Sequence, residues 1–270
     1  MRVGDGNDYL TTVSGTISQA TGTFPHVSPH IAEEGRVGGT GGLVPNTFTL
    51  QLNSEFFATP TCAGSGDPAN CLGWQQFVYD TGYNVVYMQY WLLNYYAACP
   101  SGWYSYGSDC YVNSLASTYS GNSLTAADLA TTTLVGSASL GGNDEVSLSN
   151  GSGQATLVVN SDSVLQLAQG WTTTEFDVFG DGNGSEAYFG ANTTLAAATS
   201  LVSHSPSAPT CTPGGFTAET NNLNLAHTPT ISYQGLPTMV SVQSNGKLNQ
   251  ASCAITSSSS SALPSFSSDG

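Results

Sequence analysis

The chain predicts an all-β fold, two antiparallel sheets packed as a sandwich or jelly roll, and three observations carry that expectation. Short apolar-polar alternations with period two recur along most of the sequence. Gly, Asn, Asp and Pro punctuate them at short intervals, as turns between strands require. Helical periodicity is almost absent, confined to Ser163-Val-Leu-Gln-Leu-Ala-Gln169, which is too short to carry a layer of the fold.

Taken in order, residues 1–43 are rich in Gly, Thr and Ser and end in Gly38-Gly-Thr-Gly-Gly42, which reads as a flexible lead-in or propeptide remnant. The sandwich domain is expected over 44–255. Its first strand is Asn46–Asn53, with Phe48, Leu50 and Leu52 inward and Thr49, Gln51 and Asn53 outward. Two adjacent strands come next, at 73–80 and 85–95. Alternation places Trp74, Gln76 and Val78 on one face of the first, and Tyr87, Gln89, Trp91, Leu93 and Tyr95 on one face of the second. Further strands are expected at 131–140, 145–149, 154–160, 172–179, 186–190, 193–198, 216–219, 230–233 and 238–243. In the 172–179 strand Phe176 and Val178 point inward, so Thr173, Glu175 and Asp177 share the opposite face. Residues 256–270 are a Ser-rich, low-complexity tail expected to be disordered or a linker.

Composition narrows the function. Three Lys and Arg stand against eighteen Asp and Glu, a formal net charge of −15 at pH 7. Nucleic-acid binding, which needs a basic surface, is excluded, and anionic membranes are disfavoured. No apolar run approaches the roughly 18 residues of a membrane-spanning helix. Few cations with abundant Ser, Thr, Gly and Asn suit a secreted surface. They also suit acid, because protonated carboxylates leave little positive charge to repel itself. Six cysteines fall as Cys62/Cys71, Cys99/Cys110 and Cys211/Cys253, without the tight CxxC spacing of a zinc or redox site. Disulfides, and hence an oxidising, extracellular location, are the expectation, although Met1 to Asp8 has no apolar signal-peptide core.

The chemistry lies in amides and carboxylates. There is no GxSxG, HExxH, phosphate-loop or dinucleotide motif, and His26, His30, His204 and His227 fall in loop-like contexts. Asp181-Gly-Asn-Gly-Ser-Glu186 has the look of a calcium loop's start but lacks its register, and reads as a hairpin turn. No metal and no cofactor are expected. Trp74, Gln76, Gln89 and Trp91 form an amide-and-aromatic array suited to a peptide or a glycan. Glu175, between Trp171 and Phe179 in a chain poor in charge, is the carboxylate whose pKa aromatic burial would raise, as an acid-working general acid or base needs. The competing reading makes it part of a solvated strand face.

At Trp74-Gln-Gln76, Tyr90-Trp91 and Thr174-Glu-Phe176 the sequence resembles the glutamic peptidases of the eqolisin family. The resemblance implies a concanavalin A-like two-sheet sandwich, a secreted acid endopeptidase and a Gln/Glu catalytic pair acting on polypeptides. Two departures stand out: Gln89 replaces a family Glu, and Phe179 occupies the place of the family's catalytic Glu, four residues after Glu175. Gln51-Leu-Asn53 followed by Trp74-Gln-Gln76 is also similar to the archaeal acid protease thermopsin. The implied site has Gln76 and Glu175 as catalytic groups, with Trp74, Gln89, Trp91, Asn53 and Asp177 contacting substrate. A non-catalytic carbohydrate-binding or adhesive module is the alternative. A glycosidase is a weaker third reading, since Glu175 and Asp177 on one strand are poorly placed to flank a bond.

Overall fold

The computed structural model describes residues 3–204, 208–226, 230–232, 236–245 and 254–255. Two sheets carry the fold. The first runs in the order Thr210–Pro213, Tyr9–Thr12, Thr173–Phe179, Thr49–Ser54, Leu72–Asp80, Val85–Leu93, Asp109–Asn113, Tyr104–Tyr106, with Ser117–Thr118 also on Val85–Leu93. The second runs Ala155–Ser161, Asn143–Ser149, Thr133–Ala138, Ile17–Val27, Thr194–Ser203, Thr238–Ser244, Thr230–Ser232, Ala254–Ile255, with Asn224–Leu225 on Thr238–Ser244. Pairing within these two sheets is antiparallel except between Thr230–Ser232 and Ala254–Ile255. A small third sheet joins Thr220–Asn221, Glu186–Phe189, Glu33–Gly35 and Val44–Pro45.

Thr49–Ser54, Leu72–Asp80, Val85–Leu93 and Thr173–Phe179 form close to where the alternation put them, and the apolar faces of the two sheets meet. Leu50, Leu52, Phe77, Tyr79 and Phe176 from the first sheet pack on Ala20, Phe24, Leu134, Val146 and Leu148 from the second, in one continuous core. Phe176 is the centre of this contact: its ring lies 4.9 Å from that of Phe24, and a Cβ at Gly22 would fall 2.2 Å from it. Only a residue without a side chain leaves room for Phe176 to sit flat on the second sheet.

Gly22 also explains why the sequence misleads over the N-terminal region. Residues 3–43 are not a flexible lead-in but carry strands of both sheets: Tyr9–Thr12 pairs with Thr173–Phe179, and the eleven-residue Ile17–Val27 is a central strand of the second sheet. Its buried face is built from Ile17, Ala20, Gly22 and Phe24, small residues that register weakly as a hydrophobic alternation. The expected 85–95 strand ends at Leu93, because Asn94 and Tyr96 adopt φ of 55° and 50° and turn the chain, so Tyr95 enters the core instead of the outer face. The 216–219 expectation reduces to an isolated bridge between Asp5 and Phe216. Helical structure near 163–169 is a 3-10 turn at Asp162–Val164 and one α turn at Leu167–Gly170.

Cys62–Cys71 and Cys99–Cys110 are disulfides, as their short spacing implied. Cys211 is disulfide-bonded, while Cys253 and the 256–270 tail lie outside the described residues.

Candidate active site

The outer face of the first sheet collects the polar side chains that the core excludes. Antiparallel register sets Glu175, Asn53, Gln76, Gln89 and Asn113 side by side in one row across five strands. One step along, Asp177, Gln51, Val78 and Tyr87 form a second row; on the other side, Trp74, Trp91, Tyr111 and Tyr104 form a third. Directly opposed side chains in such rows touch, so the sequence's scattered amides become one network.

The network is continuous. Asn53 Nδ2 donates to Glu175 Oε1 at 2.8 Å and to Gln51 Oε1 at 3.2 Å, and Gln76 Nε2 donates to the same Gln51 oxygen at 2.7 Å. Trp91 Nε1 donates to Gln89 Oε1 at 2.7 Å and Gln76 Oε1 at 3.2 Å, while Gln89 Nε2 donates to Asn113 Oδ1 at 2.9 Å. Gln51 Nε2 donates to Thr49 Oγ1, which donates to Gly180 O. Among the described residues the second hydrogen on Gln76 Nε2 has no acceptor.

A groove of about 650 Å³ lies over this floor. Gln51, Trp74, Gln76, Gln89 and Trp91 line it, and the Asp181–Gly184 turn and Thr217–Glu219 close one end. The Asp181–Gly184 segment is a turn closed by Ser185 N donating to Gly182 O, with Asn183 and Gly184 in the left-handed region, but not the expected hairpin, because its flanking strands Thr173–Phe179 and Glu186–Phe189 join different sheets. Among the described residues no group of His, Cys, Asp or Glu is arranged to hold a metal ion. The aromatic row props the opposite end: Trp91 stacks on Tyr111 at 5.0 Å, with Trp74 and Tyr104 continuing the stack at 6.1 and 5.5 Å.

Of the residues singled out by sequence, Trp74, Gln76, Gln89 and Trp91 thus line the groove, whereas Asn53, Glu175 and Asp177 are fully buried and do not line it. The strand Thr49–Ser54 separates Glu175 from Gln76, so their backbones are about 10 Å apart by strand spacing and Asn53 fills the place between. Asp177 is corrected from a substrate contact to an internal group: Gln243 Nε2 donates to its Oδ2 at 2.7 Å.

What buries Glu175 is the segment Val3–Asp8, which crosses the outer face of Thr173–Phe179. Gly215 N donates to Val3 O, Thr217 N to Gly4 O and Thr220 Oγ1 to Asp5 O, pinning it. Val3 packs against Trp74, with Phe56 and Leu93 alongside. Asp8 Oδ2 and Glu175 Oε2 are both buried without a hydrogen-bond donor among the described residues. Burial pushes Glu175 up to about 7, against the pull of the hydrogen bond from Asn53. Asp5, Asp8 and Asp177 are raised well above the ordinary range, burial first and neighbouring carboxylates' charges next. At the groove's far end burial and the neighbouring Asp181 raise Asp80 to about 7.

Sequence reasoning missed Gln51 and Asp8. Gln51 was legible as an outward residue two positions from Asn53; Asp8 sat in a segment without strand character.

No family model and no curated protein matches the chain. Among solved structures it is similar to scytalido-glutamic peptidase with a transition state analog inhibitor, at 12% identity and a TM-score of 0.36, over 88% of this chain and 98% of the other. It is also similar to SCP-B, a member of the eqolisin family of peptidases in complex with the tripeptide Ala-Ile-His, at 11% identity and a TM-score of 0.35, over 87% of this chain and 97% of the other. Both likenesses are remote.

Proposed function

We propose that this protein is a secreted acid endopeptidase of glutamic type, with Glu175 as general base and Gln76 as oxyanion stabiliser. The observation that carries the reading is a desolvated carboxylate, Glu175, joined through Asn53 and Gln51 to an amide, Gln76, that surfaces in the floor of an aromatic-walled groove. A peptide laid in the groove meets Trp74 and Trp91 on its apolar side chains and Gln89 on its backbone.

Glu175 as carboxylate takes the proton of the water that attacks the scissile carbonyl and returns it to the leaving amine. The free N–H of Gln76 donates to the oxyanion, a contact worth about 3 kcal/mol in comparable sites. Glu175 has no exposed surface and burial pushes its pKa up to about 7, so substrate binding must displace Asn53 or the Val3–Asp8 segment, admitting the water that lowers this pKa and leaves the carboxylate ionised in acid. The disulfides support an oxidising, extracellular setting.

The test is digestion of a denatured polypeptide at pH 3 to 4 by the wild type, Glu175→Gln and Gln76→Ala. Cleavage that survives both substitutions removes the assignment. The second reading, a non-catalytic glycan-binding module, draws on Tyr104 and Tyr106, which stand about three-fifths exposed at the groove's aromatic end. It predicts polysaccharide retention that Glu175→Gln leaves unchanged.

A further inference from the structure

Val3 fills an apolar notch beside the groove. Its side chain has no exposed surface and packs with Leu10 and Trp74, while Phe56 and Leu93 lie against the same cluster. Trp74, Phe56 and Leu93 also line the groove, so the notch is a lateral extension of it that one of the chain's own side chains occupies. Its place is central to the site. Trp74 shares a face with Gln76 two residues along Leu72–Asp80, and Leu10, one residue beyond the Thr11–Thr174 pair, stands beside Glu175.

The segment that carries Val3 is held much as a bound peptide is. Val3 N donates to Glu55 Oε1 at 3.0 Å, Val3 O accepts from Gly215 N at 2.7 Å, and Gly4 O accepts from Thr217 N at 2.9 Å. Main-chain bonds flanking one buried side chain are the way proteins read extended peptides. So close an approach depends on Gly4, where φ is 149° and a Cβ would lie 2.6 Å from Gly215 N. The polar wall of the notch is left incomplete. Glu175 Oε2, Asn53 Oδ1 and Trp74 Nε1 are buried with no hydrogen-bond partner among the described residues. Such atoms are costly to bury, and a peptide brings the N–H, the carbonyl and the water that an acceptor, a donor and a carboxylate need.

We propose that the notch under Val3 is a side-chain subsite of the groove that takes a branched aliphatic residue of a peptide substrate, with Val3 as its resident stand-in. The proposal rests on the peptidase reading for its catalytic consequence, and on packing alone for binding. Moving Val3–Asp8 is a step that opens a path to Glu175, so the movement that admits water also vacates the subsite. Apolar walls, with Glu55 and Glu175 beside them, refuse an acidic side chain.

The experiment compares full-length wild type, Gly4→Ala and Val3→Ser in acid on peptides that differ only in carrying Val, Ala or Asp at one position near the cleaved bond. Gly4→Ala pushes the segment off Gly215, and Val3→Ser weakens the plug without touching the backbone. Each raises kcat/KM by about tenfold, the gain from freeing a site that is occupied about nine-tenths of the time. At one position Val is preferred to Ala by about tenfold or more, and Asp is refused. The free peptide Val-Gly-Asp-Gly-Asn-Asp competes with substrate in Gly4→Ala and slows it toward wild type, whereas the same peptide beginning with Asp does not. Folded variants no faster than wild type, or no position at which Val is preferred, overturn the proposal. Failure of both variants to fold also overturns it, because the segment is then part of the sheet's structure. If no form hydrolyses any peptide, the peptidase reading falls and calorimetric titration of the free peptide into Gly4→Ala decides: saturable binding that the Asp-first peptide lacks keeps the subsite, and no binding overturns it.

Discussion

Raising the pH from 4 to 8 should destabilise this protein, the reverse of what paired carboxylates do elsewhere. Three buried acids allow the size to be worked. Glu175 rises from 4.5 to about 7, Asp144 from 3.8 to about 7, and Glu33 from 4.5 to about 8, burial being the first cause in each. Asp144 lies between the sheets, where Gln75 Nε2 donates to its Oδ2 at 2.8 Å and the neighbouring Asp162 adds to the upward push of burial. Every folded-state pKa here exceeds its unfolded value, so the unfolded chain releases its protons first as pH rises. Stability is therefore full below about pH 4, falls between about 4.5 and 8, and levels off above. At 1.4 kcal/mol per pKa unit each group costs about 3 to 5 kcal/mol when fully ionised. With half of that recovered by relaxation, the three together remove about 6 kcal/mol, which is comparable to the whole stability of a typical domain.

Urea unfolding followed by near-ultraviolet circular dichroism from pH 3.5 to 8.5 measures this directly. The same series in 0.5 M salt removes surface self-repulsion from the net charge of −15 while leaving buried groups unscreened. Asp144→Asn keeps an acceptor for Gln75 and should flatten the slope by about 1.4 kcal/mol per pH unit across its titration. A midpoint that is constant or rises from pH 4 to 7 in high salt would refute the reasoning.

Three further outcomes are expected. Glu175→Gln should lower hydrolysis by about 10² to 10⁴-fold without unfolding the protein, and Gln76→Ala should lower kcat by about 10² to 10³-fold with little change in KM, as steady-state kinetics on one peptide will show. Gly22→Ala forces a methyl into the Phe176 ring and should cost about 1 to 3 kcal/mol in urea unfolding at pH 4. Replacing both Cys99 and Cys110 by Ser frees a loop of sequence separation 11 and should cost about 2 to 3 kcal/mol, with the loss concentrated in hydrogen-exchange protection of Tyr104–Tyr106 and Asp109–Asn113.

Much of the architecture was readable because it depends on local alternation. Thr49–Ser54, Leu72–Asp80 and Thr173–Phe179 each show large apolar side chains on one face and amides or carboxylates on the other, and that contrast survives without knowledge of neighbours. Ile17–Val27 was not readable, since its inward face is thinned to Ala20 and Gly22 to admit Phe176 from the other sheet. Smallness demanded by a distant partner looks, in one dimension, like a linker.

The candidate site divides along the same line. Residue types and faces were set by the chain itself: Trp74, Gln76, Gln89 and Trp91 alternate outward on neighbouring strands, and Glu175 shares a face with Asp177. Strand order was decided only in three dimensions. It put Thr49–Ser54 between Glu175 and Gln76, made Asn53 and Gln51 the bridge, and laid Val3–Asp8 across the carboxylates. Alternation is a property of consecutive residues and needs no partner. Burial and the pKa of Glu175 depend on which distant segments exclude water from it, and only the packed structure specifies those.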